Sequence, residues 1–252
     1  MRRSHLPQKR LKSQLFLDSI GEHRATKEPS GSLRHERFLD SIGKYRAIKE
    51  PSGLLRSKRF LEDRKAQAEG FKCIAGVDEA GRGPLAGPVV ASAVVLKDFD
   101  FTVRIDDSKK LSQLQREAAY TQILEKAHIG IGIVPEDIVD SVNIHNASIM
   151  AMERSVLDLD IVPGLLLIDG CTRLRLGYSQ ITIVKGDQRS LAIACASIIA
   201  KVTRDRLLSY YDTIFPGYGF NRHKGYGTKE HRTIIKEKGF SPIHRRSFTV
   251  RS

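Results

Sequence analysis

The chain has 252 residues, of which 40% are hydrophobic and 28% are charged, an ordinary composition for a globular protein. It contains no apolar run of the roughly 18 residues that a membrane span needs, no secretory signal pattern at the N-terminus, and three cysteines whose spacing fits neither a disulfide framework nor a thiolate zinc site. These features predict a cytoplasmic protein without a membrane span, and the formal net charge of +13 favours a polyanionic partner such as nucleic acid.

The first 70 residues are basic and repetitive. FLDSIGEHRATKEPSGSLRHER (16–37) recurs as FLDSIGKYRAIKEPSGLLRSKR (38–59), with 16 of 22 positions identical, and a third start, FLEDR at 60–64, breaks off. Each copy holds few apolar residues and a Pro-Ser-Gly breaker, and two copies are too few to bury a solenoid core. We predict that residues 1–70 form a basic extension that is disordered or marginally helical. It either adds nonspecific affinity for nucleic acid, docks a partner, or has little consequence.

From Phe71 onward the pattern is that of a globular domain, which we predict over residues 71–252. The predicted strands cover residues 72–79, 87–96, 129–135, 164–170 and 179–187. The predicted helices cover residues 112–127 behind the N-cap Ser112, 135–159 as one or two helices beginning at Pro135, 190–214, and 228–239 ending at Gly239. Strands joined by short links come first and then alternate with helices. We therefore predict an α/β fold with a mixed five-stranded sheet flanked by helices.

Four acidic residues stand where apolar runs end. Asp78 and Glu79 follow IAGV, Asp169 follows LLLI and Asp187 follows TIVKG. Each alone fits a turn or a cap, but several carboxylates buried together need compensating cations. A donor set of oxygens favours Mg²⁺ or Mn²⁺ over Zn²⁺, and two such ions about 4 Å apart perform in-line phosphodiester chemistry. If the strands that end at Asp78 and Asp169 are parallel neighbours, their carboxylates meet at one edge of the sheet.

Three loops carry groups that could contact a nucleic-acid backbone. The glycine loop Gly81–Gly83, which contains Arg82, is not a dinucleotide fingerprint, because the two preceding acids would face a pyrophosphate. Its amides fit a close approach to a phosphate or a sugar. Lys109 and Lys110 in DDSKKLS could bind phosphates, and Tyr226, between two glycines, could stack on a sugar or a base. Each basic cluster could equally be a solvated loop.

Together these motifs resemble bacterial ribonuclease HII. The matching stretches are AGVDEAGRGPLAGPVVASAVVL, DDSKKLS, LLLIDG, VKGDQRSLAIACASIIAKVTRD and GYGFNRHKGYGTKEH, and the similarity runs from about Phe71 to the C-terminal HRRSF. The resemblance implies a ribonuclease H-like fold and an endonuclease that cleaves the RNA strand of RNA–DNA hybrids. It also implies nicking 5′ to a single ribonucleotide embedded in duplex DNA, which leaves 3′-hydroxyl and 5′-phosphate ends.

The resemblance also implies roles for individual residues. Asp78, Glu79, Asp169 and Asp187 match the four acids of the family. The first three are the expected ligands of Mn²⁺ or Mg²⁺, and Asp187 completes the site or places the attacking water. Gly81, Arg82 and Gly83 match the loop that reads the 2′-hydroxyl through backbone contacts, and Tyr226 matches the residue that stacks on the next deoxyribose. Ribonuclease HIII usually has glutamate as its fourth acid and a folded N-terminal domain. This sequence has Asp187 and a repetitive extension at those places, so it resembles ribonuclease HII more closely. The expected protein is a monomer.

Two other functions fit parts of the sequence. A noncatalytic nucleic-acid-binding protein on the same fold would explain the charge, but a pure binder gains nothing from anions that face phosphates. An exonuclease or a junction resolvase of the same architecture would use the same acids. Metal-dependent turnover separates the first alternative from the endonuclease, and a closed circular substrate separates the second, since an exonuclease needs an end.

Overall fold

The computed structural model describes residues 60–249, in which a five-stranded sheet lies between helices on both faces. The strands are β1 (Ile74–Ala80), β2 (Val89–Leu96), β3 (Ala127–Val134), β4 (Leu165–Asp169) and β5 (Gln180–Ile183). The helices are α1 (Leu61–Ala68), α2 (Gln113–Lys126), α3 (Glu136–Leu157), α4 (Leu191–Ile214), α5 (Phe220–His223) and α6 (Lys229–Lys238), and a 3₁₀ turn at Gly186–Gln188 precedes α4. The duplicated segment at 16–59 lies outside the described residues.

The sheet is mixed and has the strand order β3-β2-β1-β4-β5. The pairs β1–β2 and β2–β3 are antiparallel, whereas β1–β4 and β4–β5 are parallel. Val77 of β1 lies opposite Ile168 of β4, so Asp78 and Asp169 follow this pair on neighbouring strands. The structure therefore confirms the predicted mixed five-stranded sheet and its central parallel pair.

A hydrophobic core lies on each face of the sheet because the buried strand β2 sends alternate side chains to opposite sides. Val94 and Leu96 pack with α4 and α2, whereas Ala93 and Val95 pack with α3. The continuous apolar run of β2 reflects this burial on both faces. None of the helices between residues 60 and 249 is long and apolar enough to cross a membrane.

Glycines on the strands allow the helices to lie close to the sheet. A methyl group on Gly76 would overlap the backbone of α4 at Ala192 and Ile193, and one on Gly132 would overlap the carbonyl group of Ala151 in α3. The run of small residues at the start of α4 continues this close contact. The contact brings Ser197 of α4 to the sheet, where its hydroxyl donates a hydrogen bond to Asp78.

The predicted ends of the helices agree with the observed ends. Ser112 forms a capping box with Gln115, and Ser190 and Thr228 cap α4 and α6. The long helix α3 is interrupted at Asn143, whose φ of 66° is not helical, so residues 135–159 hold two helical pieces. Strand β5 is shorter than predicted: it ends at Ile183, and Asp187 lies in the 3₁₀ turn rather than at a strand end.

Helix α1 precedes Phe71, the predicted start of the domain, and packs against the described domain. Phe60 is 3% exposed and lies in the core formed by α2 and α4. The buried carboxylate of Asp63 accepts hydrogen bonds from the Ser190 hydroxyl (2.9 Å) and from the amides of Leu191 (2.7 Å) and Ala192 (3.2 Å). Helix α1 thus caps the N-terminus of α4. The prediction that the preceding residues form an extension concerns residues outside the described part.

Candidate active site

Strand pairing brings the first acids together at the carboxyl ends of β1 and β4. Asp78 is buried, and its Oδ1 accepts a hydrogen bond from the Glu79 amide at 2.7 Å. Asp169 Oδ1 accepts one from the Gly186 amide at 2.7 Å. Neighbouring parallel strands end at the same edge of a sheet, which explains why acids 91 positions apart in sequence become neighbours.

The hydrogen bond between Gly186 and Asp169 brings the 3₁₀ turn, and with it Asp187, to the same edge. A Cβ atom on Gly186 would lie 3.2 Å from Asp169 Oδ1 and 2.6 Å from Ile193 Cδ1, so glycine permits this close approach. The Asp187 side chain interacts electrostatically with Asp169, which in turn interacts with Asp78. The structure thus brings together the four acids predicted from the sequence.

Burial and mutual repulsion raise the pKa values of Asp78, Glu79 and Asp187. Burial raises the pKa of Asp78 well above its usual range, and the charges of Glu79 and Asp169 add to the effect. Burial raises the pKa of Glu79, although Arg82, 3.2 Å from the Glu79 carboxylate, opposes the increase. Burial, together with the nearby charges of Asp107 and Asp169, raises the pKa of Asp187 to about 6. The site therefore holds more negative charge than its own cations balance.

These acids fit a hard divalent cation by their chemistry, since all their donor atoms are carboxylate oxygens. Their present hydrogen bonds engage part of that set: Glu79 contacts Arg82 and Asp169 contacts the Gly186 amide. Between residues 60 and 249, no three His, Cys, Asp or Glu side chains already stand in a closed arrangement for a metal ion. The contact with Arg82 uses one of the two carboxylate oxygens of Glu79.

A fifth acid, Asp107, is part of this site and was missed by the sequence analysis. It is buried and hydrogen-bonded to Asp187, while its Oδ1 accepts the amide of Lys109 at 3.0 Å. The neighbouring Ser108 hydroxyl lies 3.0 Å from that of Ser197, which contacts Asp78. The sequence analysis interpreted DDSKKLS as a basic, phosphate-binding cluster because of its two lysines, and assigned no role to the acids before them. The available signal was the position of this acidic pair directly after a stretch with apolar residues.

The predicted phosphate-binding lysines lie beside the acids. Lys109 and Lys110 are both exposed, and Lys110 Nζ is 4.0 Å from Asp107 Oδ2. The Lys109 charge opposes the increase in the pKa of Asp187. A phosphate that approached the acids would therefore meet these cations at the border of the site.

Two buried arginines organise the glycine loop, and the sequence analysis assigned a role to neither. Arg245 donates hydrogen bonds to the carbonyl groups of Gly81 (2.6 Å), Arg82 (3.0 Å) and Pro84 (2.9 Å). Arg204 of α4 donates to the carbonyl groups of Ala86 (2.9 Å) and Pro88 (3.0 Å). Burial lowers the pKa of Arg245 to about 10, which still leaves it charged at neutral pH. These contacts fix the orientation of the peptide groups in the loop.

Tyr226 lies next to the glycine loop with 43% of its surface exposed. A methyl group on Gly83 would be 4.0 Å from Tyr226 Cε1. The cationic groups of Lys201 and Arg204 lie 5.6 Å and 6.0 Å from the centre of its ring. The structure thus brings two of the predicted substrate-binding elements side by side, with an exposed aromatic face between loop and solvent.

Comparisons with known proteins agree on one family. The family model described as Ribonuclease HII matches residues 75–251. A ribonuclease HII from Syntrophus aciditrophicus is 54% identical over 191 residues, which cover 75% of this chain and 90% of that protein. One from Acetivibrio thermocellus is 53% identical over 188 residues, which cover 74% of this chain and 73% of that protein. The crystal structure of ribonuclease H2 from Pyrococcus horikoshii OT3 has a TM-score of 0.61 at 26% identity and covers 70% of this chain and 94% of that one.

Proposed function

The chain belongs to the ribonuclease HII family and is a ribonuclease H that acts on RNA–DNA hybrids, and from this premise we propose a metal-dependent mechanism and a preference for isolated ribonucleotides. The proposed reaction is hydrolysis of the phosphodiester bond 5′ to a single ribonucleotide in duplex DNA. Its products carry a 3′-hydroxyl and a 5′-phosphate. The observation that carries the proposal is the group of acids with raised pKa values beside the glycine loop.

Asp78, Glu79 and Asp169 would hold Mn²⁺ or Mg²⁺, because hard cations prefer carboxylate oxygens and offset the repulsion among these acids. A pair of such ions supplies activation of the attacking water and stabilisation of the leaving oxygen. The Ser197 hydroxyl and the Glu79 amide both donate hydrogen bonds to Asp78, so they orient this carboxylate before any cation binds.

Asp187 is suited to a different role from the other three acids. Its pKa of about 6 leaves it largely ionised at neutral pH, so it can accept a hydrogen bond from the attacking water and orient it. The Gly186 amide, bonded to Asp169, sets the distance of Asp187 from the ligand acids. Lys109 and Lys110 are exposed beside it and would contact the phosphate backbone.

The glycine loop and Tyr226 would select the substrate. Only the 2′-hydroxyl marks a lone ribonucleotide in DNA. Gly81 and Gly83 have no side chains, and Arg245 holds the loop that contains them. The backbone of the loop can therefore approach that hydroxyl closely. The exposed face of Tyr226 next to Gly83 would stack on the following deoxyribose. A ribonucleotide followed by a deoxyribonucleotide would satisfy both elements.

The experiment that tests the proposal is a nicking assay on a DNA duplex with one embedded ribonucleotide. With Mn²⁺ or Mg²⁺ we expect one nick 5′ to that nucleotide, and with a chelator none. An all-DNA duplex of the same sequence is the control and should stay intact. Failure to nick the first duplex at any metal and salt concentration, with an active RNA–DNA hybrid reaction alongside, would remove the single-ribonucleotide part of the proposal.

The same substrate in a closed circle separates the alternatives. An endonuclease relaxes the circle, an exonuclease leaves it untouched, and a noncatalytic binder only retards its migration. The buried acid cluster favours a nuclease over a noncatalytic binder, since anions facing phosphates weaken binding unless cations are present.

We propose further that the protein is a cytoplasmic monomer with a basic N-terminal extension. The spacing of Cys73, Cys171 and Cys195 in the sequence fits no disulfide framework, which is typical of a reducing compartment. Light scattering of the purified protein measures the oligomeric state, and cell fractionation measures the location.

A further inference from the structure

Three histidines form a buried cluster beneath Tyr226 that takes no part in the proposed chemistry. His231 and His244 are 0% and 2% exposed, and His223 is 8% exposed. The rings of His223 and His231 stack with centres 4.1 Å apart, and the edge of Phe220 covers both. The exposed ion pair of Arg222 with Glu230 acts electrostatically on His223, as does Asp212, and Glu230 also acts on His231. Buried imidazoles need defined hydrogen-bond partners, and these partners fix where each proton lies.

The direction of each hydrogen bond between Ser241 and Tyr226 follows from the backbone carbonyl of Tyr226, which can only accept. His231 Nδ1 lies 2.9 Å from the carbonyl oxygen of Tyr226, so Nδ1 carries the proton and donates it. His231 Nε2 is then an acceptor, and His244 Nε2, 3.0 Å away, donates to it. His244 Nδ1 in turn accepts the amide and the hydroxyl of Ser241 at 2.9 Å and 2.8 Å. The result is a directed chain of hydrogen bonds from Ser241 to Tyr226.

This chain contains only neutral rings at physiological pH. Burial lowers the pKa values of His231 and His244 to about 4. His223 lowers both further, and His231 also lowers that of His244. A second proton on either ring would set two N–H groups against each other. The third ring, His223, holds the backbone just before Tyr226. Its Nε2 donates to the Tyr218 carbonyl at 2.7 Å, and its Nδ1 accepts the Gly225 amide at 3.1 Å.

The turn that begins this chain also holds the glycine loop. His244 and Ala86 form an isolated β-bridge, and the next residue, Arg245, donates to the carbonyl groups of Gly81 and Arg82. Adjacent residues of one turn, 241–245, therefore reach the two proposed substrate-reading elements. One contact sets the backbone of Tyr226, and the other sets the backbone of the glycine loop.

We propose that His231 and His244 are positioning residues that fix Tyr226 against the Gly81–Gly83 loop and thereby set the preference for a ribonucleotide followed by a deoxyribonucleotide. The inference rests on the proposed function of these two elements. The preference depends on the distance between the group that tests the 2′-hydroxyl and the ring that meets the next sugar. If Tyr226 were not held in place, the enzyme would discriminate less between deoxyribose and ribose at the next position. Cleavage at the acids would continue.

The decisive variant is His231→Phe, which keeps a buried ring on His223 but removes both hydrogen bonds. The measured quantity is the ratio of kcat/KM on a DNA duplex with one ribonucleotide to kcat/KM on a continuous RNA–DNA hybrid. We expect His231→Phe to lower this ratio about tenfold, with less than a threefold change on the continuous hybrid. His231→Asn, whose amide can replace Nδ1 as the donor to Tyr226, should restore the ratio to within about twofold. His145→Leu, at an exposed histidine on α3, is the matched control and should change neither value.

A double-mutant cycle with Tyr226→Ala isolates the positioning role. If His231 acts through Tyr226, adding His231→Phe to Tyr226→Ala leaves the ratio unchanged. Multiplicative effects, or an unchanged ratio in His231→Phe itself, would overturn the inference and leave the cluster as core packing. Should His231→Phe not fold, His244→Phe takes its place, with the same expected fall and the same overturning result. A wild-type enzyme that shows no preference between the substrates would instead contradict the proposed function.

Discussion

The carboxylate of Asp78, which we propose to bind metal, is structurally costly. Strand register places it beside Asp169, and burial beneath α4 removes water that would screen the two charges. Within residues 60–249, the donors that contact it directly are the uncharged Ser197 hydroxyl and Glu79 amide. A buried carboxylate in this position destabilises the metal-free fold, so its removal has an effect on stability that is separate from its effect on cleavage.

We predict that Asp78→Asn abolishes cleavage and stabilises the metal-free protein. The raised pKa means that the folded state disfavours the charged carboxylate, so the wild type loses stability as the pH rises. The gain in Tm from the substitution should therefore be larger at pH 8 than at pH 5, at about 2–6 °C for a relief of roughly 1–2 kcal/mol. Calorimetry at both pH values checks the sign.

Two controls accompany this measurement. Asp160→Asn, at an exposed acid paired with His128, should change Tm by less than about 1 °C. Addition of Mn²⁺ should raise the Tm of the wild type but have little effect on Asp78→Asn. Equal metal-induced shifts in both proteins would contradict the assignment of Asp78 as a ligand.

The sequence revealed the four acids because each follows an apolar run, where a carboxylate is unexpected. Asp107 follows an apolar stretch that Arg104 interrupts, which is a weaker signal, and Arg245 gave none. The role of Asp107 arises from contact with Asp187, and that of Arg245 from carbonyl groups more than 150 positions away. Long-range contacts of this kind leave no periodic pattern along a chain.

At the level of elements, periodicity predicted the strands and helices of residues 71–249 well, and local backbone geometry set the remaining differences. Strand β5 ends at Ile183 because Lys185 adopts a left-handed conformation with φ of 56° and begins the 3₁₀ turn. Nothing in the composition of the segment TIVKGD marks that reversal except Gly186. Glycine there also fits a strand end, so the sequence left the boundary open.

Helix α1 could not be predicted because its sequence is a truncated copy of a repeat. Its eight residues are mostly polar, and isolated helices of this length are marginal in water. Its stability comes from burial of Phe60 and Ala66 and from the bonds of Asp63 to the start of α4. The helix also reaches the active-site turn, since Glu62 accepts a hydrogen bond from Arg189 at 2.6 Å.

We predict that a chain starting at Phe60 is more stable than one starting at Phe71. Loss of α1 exposes part of the core and leaves three donors at the start of α4 without Asp63, so Tm should fall by about 5–15 °C. Asp63→Ala in the full chain should cost about 1–3 kcal/mol by the same reasoning. Thermal and urea unfolding measure these values, with Glu69→Ala, at the exposed end of α1, as the control. Equal stability of the two truncated chains would show that α1 adds nothing to the domain.

At the level of the whole molecule, charge is distributed unevenly. The net charge is +13, and more than half of the excess falls in the first 59 residues. The described domain carries its own negative region at the acids. Binding to a polyanion therefore depends largely on cations within the first 59 positions of the sequence.

We predict that removing residues 1–59 weakens binding to an RNA–DNA hybrid and makes its salt dependence shallower, without moving the cleavage position. For every phosphate that the shortened chain no longer neutralises, the slope of log K against log salt should become less steep by about 0.9. Titrations in the Asp78→Asn background separate binding from cleavage, and mapping of products in the active protein gives the position. An unchanged slope would mean that the extension does not touch the nucleic acid.

The bonds from His244 and Arg245 to the loop at 81–88 have a consequence for biosynthesis. Proteins are made from the N-terminus, so the glycine loop leaves the ribosome long before the two residues that hold it. A nascent chain therefore carries the acids that we propose to bind metal before its glycine loop is fixed. The loop gains these contacts only after residues 244 and 245 have left the ribosome and packed against it.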